Sequence, residues 1–501
     1  MDALYYDVHT SNEGAVVPII EGPVSADDVA EWSRTADVVI IGLGIAGASA
    51  ALEALRAGAE VLVLERASAG GGASALSQGQ FYLGGGTAVQ QACGYEDSPE
   101  EMYRFLRAVT TTDEDDKLRV FCEGSVEQFD WLEELGVPFA REAYRQKAVY
   151  TRTGEGLLST GNEKVWPFRE QARPAARGHQ VSGDGDISGG HVAMTAILGR
   201  VAQEQIPVVC EANVIALVQD NGGRVVGVKV RKDGVDSYVQ ARSGVVLAAG
   251  SFNLNDDVTS VNMPLFSAYG KPLGEPTNDG AGLMLGRTVG VAERGMHGLV
   301  ATASIYPPED LIKGIVVNAQ GRRFVAEDVY HGRMAHHIAR QPDAKAFLIL
   351  DEEIFGYPKH GSHTFIDAFE TVSEMEAALG MPDGALAQTL AEYNGNIADG
   401  ADAEFHKHAD WLKQLQPPYA VFEISIPRSD YHWMSLGGLA TDADGRALRE
   451  DGTAVPGLYA AGACTSHLAQ DGDEYASGMS LAGGSLFGRR AGAHAAAMAR
   501  V

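Results

Sequence analysis

The chain runs to 501 residues, too long for one ordinary domain, and its 45% hydrophobic content can fill substantial cores. A formal net charge of −28 argues against nucleic acid or an anionic membrane as the main partner, and reads as an aid to solubility. Cys93, Cys122, Cys210 and Cys464 lie far apart without a C-x-x-C, which leaves no spacing for zinc, an iron–sulfur cluster or attached haem.

Residues 1–30 carry Asp2, Asp7, Glu13 and Glu21 and lack a basic start followed by an apolar stretch. They read as an arm ahead of the first strand, not as a signal peptide. No apolar run approaches the roughly 20 residues that span a bilayer, so no membrane span is expected and a cytoplasmic location follows.

Residues 38–41 are apolar and read as a buried parallel strand. Gly42, Gly44 and Gly47 follow in G-x-G-x-x-G spacing, residues 48–57 read as a small-residue helix, and a second apolar strand at 61–64 ends on Glu65. Each part has a physical task. Gly42 permits the tight turn, Gly44 lets the backbone approach a pyrophosphate, and Gly47 lets helix pack closely on strand. The phosphate rests on the positive helix end, and Glu65 accepts hydrogen bonds from a ribose diol.

Residues 67–87, rich in glycine and serine, read as a loop folding over the phosphates. An amphipathic helix is expected within 126–139, ended by Gly136 and Pro138. Residues 140–180 hold much basic charge and read as surface, with Arg173, Arg177 and His179 read as solvated in preference to guarding a channel. Strands are expected at 206–218 and 224–230 around the turn 220–223, and a buried strand at 244–250 (GVVLAAG). The sequence N-D-G-A-G at 278–282 opens a helix, with Asp279 near its start. From about 300 to 430 proline, histidine and aromatics rise and glycine signatures stop; this reads as an inserted, substrate-facing domain. The tail returns to strand, glycine and helix with GLYAAGACTS and YASGMSLAGGSLFGRRAG.

Taken together, the dinucleotide motif, the glycine/serine loop, GVVLAAG, NDGAG and GLYAAG resemble the FAD-dependent fumarate reductase and 3-ketosteroid dehydrogenase superfamily. The resemblance covers nearly the whole chain from Asp37. It implies an α/β fold: a discontinuous Rossmann-like FAD-binding domain (residues 1–299 and 431–501) with an inserted α+β capping domain (300–430). It also implies a cofactor set of Gly42, Gly44, Ala46 and Gly47, then Glu65 and Arg66, then Gly72, Ala73, Ser74, Ser77 and Gly79. Val214 meets adenine through its backbone, and Ala249, Gly250, Asp279, Gly462, Ser480 and Leu481 complete the set. The helix from about Ser480 aims its positive end at the flavin pyrimidine.

Two local patterns narrow the choice. Residues 321–333 (GRRFVAEDVYHGR) and 474–481 (EYASGMSL) resemble the 3-ketosteroid Δ4-(5α)-dehydrogenase family. Carried over, Tyr475 takes charge on the ketone oxygen, Ser477 removes a proton and Tyr330 relays it outward, with His331 as the reserve relay. Fumarate reductases place an arginine where this chain has His331, and a histidine close before the glycine pair where it has Met434-Ser435-Leu436. No histidine lies in 67–87, so non-covalent FAD is expected. The reading is dehydrogenation of an apolar 3-ketosteroid between carbons 4 and 5. Alternatives left open are a Δ1-dehydrogenase, a fumarate- or urocanate-type ene-reductase, and a flavin-bearing sensor without turnover. No second nucleotide motif points to NAD(P)H, and the electron acceptor stays open.

Overall fold

The computed structural model describes residues 18–151, 153–183 and 187–498, so most of the expected N-terminal arm lies outside the described residues. Its centre is a nine-stranded sheet. Residues Val38, Val39 and Ile40 are fully buried, as a strand covered on both faces must be. They belong to the strand Arg34–Ile41, which runs parallel to Val61–Leu64 on one side and to the end of Val235–Leu247 on the other. The strand Ala454–Ala460 adds a further parallel neighbour, pairing Leu458 with Val245. Four strands thus finish at the same sheet edge, delivering Gly42, Glu65, Ala248 and Gly462 side by side.

Helix Ile45–Arg56 follows the first of these strands, and helix Met479–Ala497 closes the chain against it. Their contact needs small residues. A Cβ at Gly488 would lie 2.4 Å from the Ala46 carbonyl oxygen, and one at Gly492 would lie 2.1 Å from that of Ala50. At such distances backbones meet where side chains cannot, and the helix that carries the first glycine motif is locked to the last segment of the chain.

Three expectations need correction. The single strand expected at 206–218 is two: Val208–Val209 pairs with Val61–Leu64, whereas Asn213–Gln219 pairs with Val225–Lys232 on the far side of the sheet. The break falls at Glu211, whose φ of 57° is incompatible with continuing a strand. The loop 67–87 contains a short helix, Gly72–Leu76, and a strand, Gln80–Tyr82. Finally, Arg177 and His179 are fully buried, not solvated; Arg173 alone of the three is exposed. The strand Gly178–Gln180 is the middle of a three-stranded sheet, and Arg177 is held there by two hydrogen bonds to Asp97 at 2.8 and 2.9 Å. A guanidinium paired with a buried carboxylate can itself be buried, which charge counting along a segment does not reveal.

A separate antiparallel sheet lies wholly within residues 315–423, in the order Ile315–Asn318, Ala346–Asp351, Tyr419–Glu423, Thr364–Phe369. Beneath it Arg323 bonds both Glu327 and Asp402, and Lys407 reaches Glu327 at 2.9 Å; none of the four side chains exceeds 1% exposure. A small sheet of Lys271–Pro272, His432–Ser435 and Leu299–Thr302 ties the two chain crossings near residues 300 and 430 together.

Candidate active site

The parallel strand ends open onto a cavity of about 500 Å³, in the crevice where α/β sheets take ligands. Gly42 turns the chain there with φ of 98°, in the left-handed region, and a Cβ on it would strike the Ala248 carbonyl oxygen at 2.4 Å. Gly44 is different. A Cβ on it would meet nothing nearer than the Ser74 hydroxyl at 3.5 Å, so its backbone faces open space on the cavity wall. Ser74 Oγ accepts from the Ile45 amide at 3.1 Å, which pins the glycine/serine segment over the start of helix Ile45–Arg56. The first amides of that helix, Ala46 among them, lack intrahelical acceptors and suit phosphate oxygens.

Glu65 stands on the wall with each carboxylate oxygen already accepting one backbone N–H at 2.7 Å, from Leu43 and from Ala67. Burial pushes its carboxyl above the ordinary value while those two donors pull it down. A carboxylate has about four lone-pair sites, so acceptor capacity remains for a diol. Arg66 also lines the cavity and is held by Asp279 at 2.7 Å.

Of the expected cofactor residues, Ala46, Gly72, Ala73, Ser77, Gly79, Val214, Ala249, Gly250, Gly462, Ser480 and Leu481 stand on the same wall. Gly47 and Asp279 do not. Gly47 serves packing, since its Cβ would sit 2.0 Å from the Gly42 carbonyl oxygen. Asp279 works from behind, gripping Arg66 and accepting the Ala281 amide at 3.2 Å. Its neighbour Asn278 reaches the wall instead. The N-D-G motif carried that signal; spacing alone did not say which of its first two residues faces inward.

At the other end of the cavity Tyr330, Tyr475 and Ser477 come together from segments far apart in sequence. Tyr330 Oη lies 2.9 Å from Ser477 Oγ. Tyr475 Oη lies 2.8 Å from Ser480 Oγ and accepts from the Ser480 amide at 3.3 Å, at the start of the closing helix. The two phenol rings are 6.5 Å apart. Burial raises both phenols above their ordinary value, Tyr330 furthest, with Tyr475 adding to the effect on Tyr330. Both are therefore neutral hydrogen-bond donors near neutral pH.

His331 and His467 also line the cavity. Burial pushes His331 down to about 3 and His467 to about 4, so each is an uncharged imidazole. Among the described lining residues Arg66 is the only arginine or lysine, and it stands beside Glu65. The remaining wall at the tyrosine end comes from Val149, Tyr150, Val300, Thr302, His432 and Met434, none of which the sequence singled out as lining. Strand pairing across the chain crossings brings the last four inward, and no local pattern announces it.

A family described as FAD binding domain matches residues 37–479. The chain belongs to this family. FAD is its cofactor, and the glycine cradle, the open helix end and Glu65 fit a dinucleotide. A 3-oxo-5-alpha-steroid 4-dehydrogenase of Comamonas testosteroni is 29% identical over 510 aligned residues, covering 87% of this chain and 94% of that protein. The crystal structure of 3-ketosteroid-Δ4-(5α)-dehydrogenase from Rhodococcus jostii RHA1, in complex with 4-androstene-3,17-dione, superposes with a TM-score of 0.89 at 38% identity. It covers 95% of this chain and all of that one. A probable fumarate reductase, Ifc3, of Shewanella frigidimarina is 27% identical over 478 residues, covering 93% of this chain and 75% of that protein. This FAD-binding chain therefore has relatives with steroid and with dicarboxylate chemistry. Among the described residues no helix is long and apolar enough to cross a membrane.

Proposed function

We propose that the chain dehydrogenates an apolar, saturated 3-ketosteroid, forming a double bond between carbons 4 and 5. The observation that carries this reading is the 2.9 Å contact of Tyr330 and Ser477 in a cavity whose tyrosine end has no lysine or arginine. A dicarboxylate needs cations there; a ketone needs a neutral donor. At the position of the fumarate reductases' arginine stands a neutral His331.

When bound, the flavin supplies a two-electron acceptor for the hydride. The chain does the rest. Tyr475 donates its phenol proton in a hydrogen bond to the ketone oxygen, where negative charge develops as the neighbouring carbon loses its proton. The Ser480 amide, which donates to the Tyr475 oxygen, orients that phenol. Ser477 Oγ takes the proton from carbon while passing its own to the Tyr330 oxygen, which accepts it in the phenolate form and ends as a neutral phenol, because a serine hydroxyl is too weak a base to hold both. The apolar wall at Val149, Val300 and Met434 suits a steroid face and excludes water. Residues 300–430 act as the cap over this end, a reading supported by the self-contained sheet within 315–423. FAD is held without a covalent bond.

Incubation with 5α- and 5β-saturated 3-ketosteroids and with a Δ4-unsaturated one tests the proposal. The saturated compounds are expected to bleach the flavin and to yield a 4,5-double bond located by NMR. A new bond at carbons 1 and 2, or reduction of fumarate in its place, overturns it.

A further inference from the structure

The segment at residues 160–163, where Thr160, Asn162 and Glu163 are buried, touches both arms of the tyrosine–serine pair without lining the cavity. Thr160 bonds the Ser477 backbone twice: its carbonyl oxygen accepts the Ser477 amide at 3.0 Å, and its hydroxyl donates to the Ser477 carbonyl at 2.9 Å. Gly161 packs so tightly that a Cβ would lie 2.8 Å from that of Ala476. Asn162, 1% exposed, spans the two segments. Its Oδ1 accepts the Tyr330 amide at 2.9 Å, and its Nδ2 donates to the Asp473 carbonyl at 3.2 Å.

Tyr330 precedes helix His331–Ala339, so its amide has no helical acceptor and depends on this side chain. Asp473 lies two residues before Tyr475 and four before Ser477. One carboxamide therefore sets the distance between the turn that leads into Tyr330 and the loop that delivers Tyr475 and Ser477. The same two segments also meet nearer the surface, where Asp473 pairs with Arg340 at 3.1 Å and lies 3.2 Å from the His337 ring. Those contacts are partly exposed and screened. The amide bridge is not.

We propose that Asn162 is a positioning residue that holds Tyr330 and Ser477 at hydrogen-bond distance, an inference that rests on their reading as the proton-handling pair. Loss of the bridge lets the two segments separate without emptying the cavity. The expected result is a slower chemical step with little change in binding, because a displacement of about 1 Å in a relay can cost about a hundredfold.

Two measurements on the FAD-loaded chain decide the matter. In hydrogen exchange read by mass spectrometry, Asn162→Ala is expected to speed exchange at the Tyr330 amide about tenfold or more, as for a lost buried hydrogen bond. Exchange in the strand Ala346–Asp351 stays unchanged. In anaerobic stopped flow with 5α-androstane-3,17-dione, flavin reduction in Asn162→Ala slows about 10- to 100-fold at a half-saturating concentration within about twofold of the original. In a Tyr330→Phe background the same change costs nothing further, since the group it positions is gone. Unaltered exchange, an unaltered rate, or additive losses in the double variant overturn the proposal.

Should Asn162→Ala fail to fold, Asn162→Asp serves instead. It keeps the acceptor for Tyr330 and loses the donor to Asp473, so exchange is expected to rise in residues 471–477 and not at Tyr330. The reverse pattern sinks the idea. If the unaltered enzyme ignores the steroid, the substrate reading fails by itself, and the exchange result still decides whether Asn162 is the brace.

Discussion

At the scale of single residues, the tyrosine end of the cavity keeps its titratable groups uncharged. Tyr330 and Tyr475 are protonated because burial opposes phenolate, and His331 is unprotonated because burial opposes imidazolium. Ser477→Ala and Tyr330→Phe are each expected to leave FAD bound and to slow its reduction by a 3-ketosteroid about 10²- to 10⁴-fold, read by bleaching at the flavin absorbance. The pH dependence follows from the raised phenol of Tyr330. Below its titration the phenolate fraction grows about tenfold per pH unit, so the rate of flavin reduction is expected to climb through pH 9 without levelling. A flat profile, or a slope that survives Tyr330→Phe, removes Tyr330 from the relay. Gly44→Val separates binding from folding. Its side chain enters the cavity and not the protein, so a folded, colourless chain is expected from gel filtration and absorbance.

Between elements, small residues and buried charge set the geometry. Gly488→Val drives a side chain into the Ala46 backbone, in contrast to Gly44→Val, and is expected to lower stability by about 1–3 kcal/mol as well as weakening FAD retention. Calorimetry and the flavin-to-protein ratio check this. Arg323, conspicuous in the sequence beside Arg322 and Phe324, does not reach the cavity. It neutralises Glu327 and Asp402 beneath the loop that leads to Tyr330. Arg323→Leu leaves two buried carboxylates short of a partner and is expected to cost about 3–5 kcal/mol in urea unfolding. A loss below 1 kcal/mol counts against that structural role.

Across the whole molecule, buried neutral histidines link stability to pH. Burial pushes His179, His363 and His467 down to about 4 and His331 to about 3. In the unfolded chain each takes a proton as pH falls below about 6.5, whereas the folded chain waits until about 4. The unfolded state therefore binds more protons in that window, and stability falls as the pH falls. Glu163, which burial holds above its ordinary value, works in the opposite sense. The melting temperature is expected to drop between pH 7 and 5, and His179→Gln to flatten that slope whatever it does to the midpoint at pH 7.

The local chemistry of the glycine motifs was legible because strand, turn and helix are short-range structures whose spacing shows in one stretch of chain. Residues 38–65 therefore declared a dinucleotide cradle, and the resemblance of 321–333 and 474–481 to a known family named Tyr330, Tyr475 and Ser477. What folding alone decided were the meetings between distant segments: that Asn278 and not Asp279 faces the cavity, that Arg177 is buried against Asp97, that His432 and Thr302 line the pocket, and that Asn162 joins the segments carrying Tyr330 and Ser477. Each depends on partners dozens to hundreds of residues away. Periodicity reports which side of an element is apolar, but burial and partnership arise only when the elements pack.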